Sequence, residues 1–334
     1  MTVATDLFDR QLRDLRVSVT DRCNFRCTYC MPKEVFGPGY EFLPRDQLLT
    51  FEEITFVVRH FVDRGVRKVR ITGGEPLLRK GIEDLIAMID QIDGVDDLTL
   101  TTNASLLTRK ARGLADAGLD RVTVSLDAMD DPTFQRMNDV GFPVSTVLEA
   151  IEVAAAAGLG PIKVNAVIKR GVNEHSVVDM ARHFRGSGHI VRFIEYMDVG
   201  SSNGWRLDDV VSAEEMLDAI HAVFPLEPIP PNYPGEVANR FRFLDGGGEV
   251  GVIASVTKPF CGSCTRARVS AEGSVYTCLF AASGTSLRDV IRSGGDLGAT
   301  IDEVWAKRDD RYSEIRSSNT ARIAVPVEMS YIGG

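Results

Sequence analysis

Three cysteines, Cys23, Cys27 and Cys30, stand in one stretch with three and then two residues between them. Thiolates at that spacing on a single loop can hold three irons of a cubane iron–sulfur cluster. Such clusters ordinarily take four cysteines, so three leave one iron open to a further ligand, as catalytic metal sites keep an exchangeable position. The pattern points to chemistry at the open iron. A structural zinc site would ask for a fourth Cys or His, and His60, His175, His183, His189 and His221 all lie at least 30 residues from the loop. A distant ligand stays open as an alternative. Disulfides are disfavoured: the chain opens without a charged and then apolar leader, so the expected compartment is the cytoplasm, where thiols stay reduced.

The other three cysteines form a second set, Cys261 and Cys264 followed after thirteen residues by Cys278, and no thiol is left over. This set reads as another three-ligand site, since a zinc ribbon needs two complete Cys-x2-Cys halves and here one is incomplete. With 334 residues, 44% of them apolar, the chain can bury a large core as one domain or two. No apolar run nears the ~20 residues that span a bilayer. A net charge of −9 and a pI near 5.2 speak against nucleic acid or a membrane surface as partner. An anionic ligand therefore has to meet a local cluster of Arg and Lys.

The elements that must position these loops are legible as well. Residues 12–195 alternate short β-branched runs with helical patterns, the form of repeated strand–helix units around a parallel sheet. Six strands are predicted, at 15–20, 68–72, 98–103, 121–127, 162–167 and 190–195. Between them, Thr50 and Glu53 read as a capping box before a helix over 54–64, Thr108 as the N-cap of a helix over 109–117, and 150–158 as a helix closed by glycine. Strand alternation puts Arg16, Ser18 and Thr20 on one face, and likewise Arg70 with Thr72. It does the same for Thr99, Thr101 and Asn103, for Thr123, Ser125 and Asp127, and for Lys163 with Asn165. The opposite faces are almost wholly Val, Leu and Ile. Parallel sheets buried on both faces read as continuous apolar runs, so a polar face repeated over five strands predicts a curved sheet with a ligand-holding interior. That is an α/β fold, a partial (β/α)6-type TIM barrel. A half-exposed antiparallel sheet is the alternative, and the intervening helices weigh against it.

Past about residue 200 the texture changes. Pro225, Pro228, Pro230, Pro231 and Pro234 break the chain, and two β-hairpins follow, 240–244 with 249–254 and 266–270 with 274–278. They predict a smaller C-terminal α+β domain over 201–334 that carries the second cysteine set, appended to a barrel domain over 1–200.

The cysteine loop straight after a strand, with Tyr29 before its last cysteine, resembles the radical S-adenosylmethionine superfamily. Gly73-Gly74-Glu75-Pro76 at a strand end resembles the same superfamily's GGEP motif, whose backbone meets the methionine amino group; alone it would be only a good turn. Three stretches, 15–23 (LRVSVTDRC), 260–268 (FCGSCTRAR) and 332–334 (IGG), resemble more narrowly the GTP 3′,8-cyclase family of molybdenum cofactor biosynthesis, over nearly the whole chain. The resemblance implies two [4Fe-4S] clusters. Cys23, Cys27 and Cys30 would hold the one that binds S-adenosylmethionine, and Cys261, Cys264 and Cys278 the one that faces the guanine of GTP. It further implies S-adenosylmethionine contacts from Tyr29, Gly74, Ser125 and Met197, and GTP contacts from Arg16, Arg70, Thr101, Lys163, Arg266, Ala267 and Arg268. The implied reaction is a lyase-class cyclisation of GTP to (8S)-3′,8-cyclo-7,8-dihydroguanosine 5′-triphosphate. The implied partners are a one-electron donor, a second copy in a homodimer, and the cyclic pyranopterin monophosphate synthase that takes the product. The Gly333-Gly334 tail is expected to reach into the site.

Arg16, Arg70, Thr101, Ser125 and Lys163 coincide with the polar face that alternation had assigned. Thr265 and Ala267 stand where the family usually has Asn and Leu, and Ala104-Ser105 where it has glycine; none of these removes a charged or metal-binding group. Two other readings remain: a peptide-modifying radical maturase, which usually carries more C-terminal cysteines, and a non-enzymatic iron–sulfur or zinc protein.

Overall fold

Alternating β-branched and helical segments settle into an open barrel. The computed structural model describes residues 3–316 and 325–333. Strands β1 (Asp14–Ser18), β2 (Lys68–Thr72), β3 (Asp97–Thr102), β4 (Arg121–Ser125), β5 (Lys163–Ile168) and β6 (Ile190–Glu195) lie side by side in chain order, each parallel to the next. These are the six predicted strands, with some ends moved by one to two residues. Helices α1 (Phe51–Val62), α2 (Ile82–Asp90), α3 (Leu107–Asp116), α4 (Asp131–Asn138), α5 (Val144–Ala156) and α6 (Ser176–Phe184) connect them.

The capping box forms as predicted: the Thr50 hydroxyl accepts from the Glu53 amide at 3.1 Å, and the Thr50 amide donates to Glu53 Oε2 at 2.9 Å. Thr108 does not cap α3. The helix starts one residue before it, with Leu106 at the cap and no side-chain cap bond, because Leu107, Ala111 and Leu114 must share the face that enters the core. α5 begins six residues ahead of the predicted start, since Val144 and Val147 continue the buried stripe of Ala150, Ile151 and Ala154.

Val17, Val69, Ile71, Leu100, Val122, Val124 and Val164 turn outward into one core with Val57, Val58, Leu85, Leu114 and Ile151 from the helices. Each fully buried side chain of this kind contributes about 1.5–3 kcal/mol. A one-residue slip of any strand would bring its arginine or threonine into that core, which is why the register is unique.

The C-terminal segments extend the same sheet. Beyond α7 (Ala213–His221) come β7 (Leu226–Ile229), β8 (Asn239–Phe243), β9 (Glu249–Ile253), β10 (Arg266–Val269), β11 (Ser274–Tyr276) and β12 (Thr285–Ser286), then α8 (Leu287–Arg292) and α9 (Leu297–Ala306). Both predicted hairpins are present and antiparallel. They do not make a sheet of their own: β9 runs parallel to β6 and β10 parallel to β1, giving twelve strands in the order β12-β11-β10-β1-β2-β3-β4-β5-β6-β9-β8-β7. β7 lies in the proline-rich stretch that read as a break. It survives there because it is the outermost strand, where Pro228 has no neighbour to which it must donate. Among the described residues no helix is long and apolar enough to cross a membrane.

Candidate active site

Parallel register carries the polar face of each strand across the sheet in rows. Arg268, Arg16, Arg70 and Thr99 stand opposite one another on β10, β1, β2 and β3. Thr101, Thr123 and Lys163 form a second row on β3, β4 and β5, and Ser125, Asn165 and Arg192 a third on β4, β5 and β6. Above these rows lies one cavity, lined by Arg16, Arg70, Thr101, Ser125, Asn165 and Arg192, and also by all six cysteines. Two triads more than 230 residues apart in sequence thus share a single chamber.

The first triad sits on the loop after β1. Cys23 Sγ accepts from the Phe25 amide at 3.4 Å and from Asn103 Nδ2 at 3.8 Å, while Arg26 Nη1 holds the loop by donating to the carbonyls of Cys23 and Phe25 at 2.8 and 2.7 Å. Burial pushes the Cys23 thiol up to about 11, with the Glu75 carboxylate adding to it. Burial raises Cys27 and Cys30 as well, and their neighbours Asp127 and Cys23 reinforce the rise.

The Gly73-Gly74 turn passes against this loop with no room for a side chain. Gly73 has φ +150°, and a Cβ there would lie 2.5 Å from the Thr20 carbonyl oxygen; on Gly74 it would collide with the carbonyl of Arg22. Glu75 ties the turn to the end of β3, accepting from the amides of Leu77 (3.0 Å) and Asn103 (2.7 Å) and from the Thr102 hydroxyl (2.7 Å). It is 1% exposed, and burial outweighs these bonds to push its carboxyl up to about 7. The Tyr29 hydroxyl donates to Asp127 Oδ2 at 2.9 Å, and burial pushes Asp127 up to about 6. Tyr29, Gly74, Ser125 and Met197 all line the cavity.

The second triad lies among cations. Arg266 Nη2 donates to Cys264 Sγ at 3.2 Å. Burial alone would raise the Cys264 thiol, but the charges of Arg266 and Arg308 bring it down to about 6. A buried clamp fixes this loop from behind: Asp6 accepts from Arg10 (2.6 Å) and Arg308 (3.1 Å), which donate to the carbonyls of Cys261 (2.9 Å) and Cys264 (2.8 Å). Arg70 Nη1 donates to Thr101 at 2.9 Å and Thr123 at 3.0 Å. Burial and mutual repulsion hold the Arg16 guanidinium well below its ordinary value, and bring Arg268 to about 10 and Arg192 to about 9. So many crowded cations call for a multiply charged anion.

Two of the predicted substrate contacts are placed differently from the rest. Lys163 does not line the cavity wall; it lies in the buried row beneath, where burial and then Arg192, Arg121 and Lys68 pull it down to about 7. The Ala267 methyl is fully buried in the outer core, because it alternates with Arg266 and Arg268, and only its backbone is left for a ligand. The tail does arrive. Arg268 Nη1 donates to the Gly333 carbonyl, and Gly333, at φ +75°, lies so close to Thr72 that a Cβ would clash. Gly334 lies outside the described residues.

Sequence reasoning passed over several lining groups. Arg192 was available by extending the alternation to β6, and Lys68 by extending it to the start of β2. Tyr233, whose hydroxyl accepts from Lys68 Nζ at 3.3 Å, and Arg308 come from loops with no periodic signal.

Among the described residues no three His, Cys, Asp or Glu side chains close around a point where one metal ion could sit.

Comparison with known proteins agrees with this geometry. The GTP 3′,8-cyclase of Acidothermus cellulolyticus is 54% identical to this chain, covering 98% of each. The chain belongs to the GTP 3′,8-cyclase family. Enzymes of the same name from Xanthomonas axonopodis pv. citri and Staphylococcus haemolyticus are 50% and 47% identical, again over 98% of each chain. Residues 17–184 match the Radical SAM superfamily and residues 189–314 match Molybdenum Cofactor Synthesis C, so each family carries one cysteine triad apart from the link between them. Streptococcus suis SuiB bound to S-adenosylmethionine shares the fold, with a TM-score of 0.63 at 14% identity over 88% of this chain and 69% of that one. The cofactors of this family, two [4Fe-4S] clusters and S-adenosylmethionine, meet six half-buried cysteines and a polar chamber between them.

Proposed function

We infer that this chain is an enzyme that cyclises GTP to (8S)-3′,8-cyclo-7,8-dihydroguanosine 5′-triphosphate, the first step of molybdenum cofactor biosynthesis. The observation that carries the reading is the single cavity lined by two cysteine triads with buried arginines between them. Cys23, Cys27 and Cys30 hold the first cluster, and Cys261, Cys264 and Cys278 the second. When bound there, the first cluster and S-adenosylmethionine supply one-electron cleavage of the sulfonium, the source of radical chemistry in this family.

The chain's own residues bind, orient and shield. Tyr29, the Gly73-Gly74 backbone, Ser125 and Met197 seat S-adenosylmethionine, and Glu75 fixes the turn that does so. Arg16, Arg70, Thr101, Lys163, Arg266, the Ala267 backbone and Arg268 take GTP. Their charge answers the triphosphate, and their attachment to rigid strands holds the ribose against the first triad and the base against the second. Gly333 covers Arg268 and helps exclude water. GTP is thus taken by residues from both sides of the boundary expected near residue 200. A homodimer in the cytoplasm that passes its product to the cyclic pyranopterin monophosphate synthase completes the reading.

The test is anaerobic: cluster-loaded protein, reductant, S-adenosylmethionine and GTP deuterated at C3′. The expected outcome is 5′-deoxyadenosine carrying the deuterium, together with a new chromatographic species of nearly GTP's mass. Deuterium-free 5′-deoxyadenosine with GTP intact would sink the substrate assignment and leave the radical site standing.

A further inference from the structure

Beside the first cysteine loop lies a second groove, lined by Thr20, Arg22, Leu43, Arg45, Leu48, Leu78, Arg79 and Lys80. Its back wall is the wall of the active-site chamber. Arg22 lines the groove while Cys23, the next residue, lines the chamber. The Gly73-Gly74-Glu75 turn likewise faces the chamber and is pinned from the groove side, with the Gly74 amide donating to the Thr20 carbonyl (2.8 Å) and the Glu75 amide to that of Arg22 (2.8 Å). Two adjacent backbone segments are thus all that separates the groove from the first triad.

The charge of this groove runs against that of the chain. The protein carries a net −9, yet four cations gather here, and among the described residues none of them has an ion-pair partner. Arg22 donates only to the Leu43 carbonyl (3.5 Å) and lies over the Phe42 ring; Arg79 donates to the carbonyls of Leu49 (2.8 Å) and Val19 (3.3 Å). Arg45 and Lys80 are exposed. The one acid of the adjoining segment, Asp21, is turned inward, where it accepts from the Leu43 amide at 2.7 Å. Of the other acids near these residues along the chain, Glu75 is buried in the chamber turn, Glu83 is paired with Lys110 (2.6 Å), and Asp46 and Glu41 remain. Leu78, 41% exposed, supplies an apolar centre within the cationic rim. An arginine-rich rim around a small apolar centre is the make-up of a transient, charge-steered protein interface. Unpaired, spread over several loops and, for Arg22, Arg45 and Lys80, exposed, these cations suit the carboxylates of a macromolecule better than one enclosed small anion.

We propose that this groove is the docking surface for an acidic one-electron carrier protein that reduces the first cluster. The proposal rests on the radical reading above, which requires an electron at that site. The step is balanced by the carrier alone: one electron leaves the reduced carrier, oxidising it by one, and enters the centre held by Cys23, Cys27 and Cys30. No atom or proton changes hands.

The experiment compares two reductants on the cluster-loaded enzyme. One is a purified acidic flavodoxin kept reduced by its NADPH-dependent reductase; the other is dithionite, which needs no docking surface. The variant is R45E/K80E, which touches neither chamber nor triad. At low salt its flavodoxin-driven formation of 5′-deoxyadenosine should fall roughly tenfold, its Kd for flavodoxin should rise in parallel, and both differences should shrink at high salt as screening sets in. Its dithionite-driven rate should match the wild type. Equal losses with both reductants, or no loss with either, would overturn the proposal, as would tight binding of a DNA duplex by the wild type with no affinity for the flavodoxin. Failure of the radical reading has a different signature: no 5′-deoxyadenosine from the wild type even with dithionite.

Discussion

The two cysteine triads present the same number of thiols to one chamber in different electrostatic surroundings. Around Cys23, Cys27 and Cys30 the nearest charged groups inside the chamber are the carboxyls of Glu75 and Asp127, and the thiols are pushed upward. Around Cys264 the nearest charges are Arg266 and Arg308, and that thiol is pulled down, while burial and Asp310 push its triad partner Cys278 up to about 11. The difference teaches what each triad is built to face. A carboxylate-rich wall complements a sulfonium and an ammonium, and a guanidinium-rich wall complements the acceptor atoms of an anionic nucleotide. Ligand count alone would not have told the two apart.

The harshest way to break the comparison is to remove one thiol from each side. Cys30→Ala should abolish formation of 5′-deoxyadenosine, a loss of roughly 10³-fold or more, as when one member of a unit is deleted. Cys278→Ala should instead keep that cleavage within about tenfold while losing the cyclised nucleotide. Product analysis by chromatography separates the outcomes, and equal loss of both products in both variants would erase the distinction drawn here.

Charge comes next. Arg268→Ala removes a buried guanidinium on the second side, so kcat/KM for GTP should fall roughly 10- to 150-fold, the equivalent of the ~1.5–3 kcal/mol of a charge-assisted hydrogen bond. S-adenosylmethionine affinity, read by equilibrium dialysis, should change little. A comparable loss in both affinities would mean that the arginines do not belong to one side.

On the first side, Glu75 gives a pH signature. Its folded value, about 7, is raised above the unfolded one by burial, so its contribution to stability is fully present below the unfolded value and is lost as pH rises through 7. Urea unfolding between pH 5 and pH 8 should show this decline in the wild type. It should be flattened in Glu75→Gln, which is offset at all pH by a cost of about 1–3 kcal/mol for a disturbed buried acceptor.

Lys163 should give the smallest effect. Held down to about 7 in the free protein by burial and neighbouring cations, it is largely neutral at pH 8, and an arriving triphosphate restores its charge. GTP binding at pH 8 should therefore take up a fraction of a proton, with affinity falling as pH rises from 7 to 9. Calorimetry in two buffers of different ionisation enthalpy measures the uptake, which Lys163→Met should abolish.

Much of this molecule was written locally. The spacing of Cys23, Cys27 and Cys30 needs only one loop, and the alternation of Arg16, Arg70, Thr101, Ser125 and Lys163 with Val and Leu needs only the two-residue period of a strand. Both therefore survive in the sequence as readable pattern. The cap of α3 was misread because a stripe of Leu107, Ala111 and Leu114 docking in the core outweighs one hydroxyl at a helix end. β7 was missed because proline is forbidden in a strand only where a neighbour needs its donor, and edge position is a property of the assembled sheet.

The sequence by itself determined the ligand count of each triad, the strands and their polar face, and hence the class of chemistry. Tertiary structure alone decided that the second triad shares a chamber with the first. That outcome depends on β10 adding beside β1 and β9 beside β6, long-range pairings that no local period encodes. It decided the electrostatics too: a thiol or a lysine reads the same along the chain wherever it stands, and only burial and the charges brought up against it set which way its proton equilibrium moves.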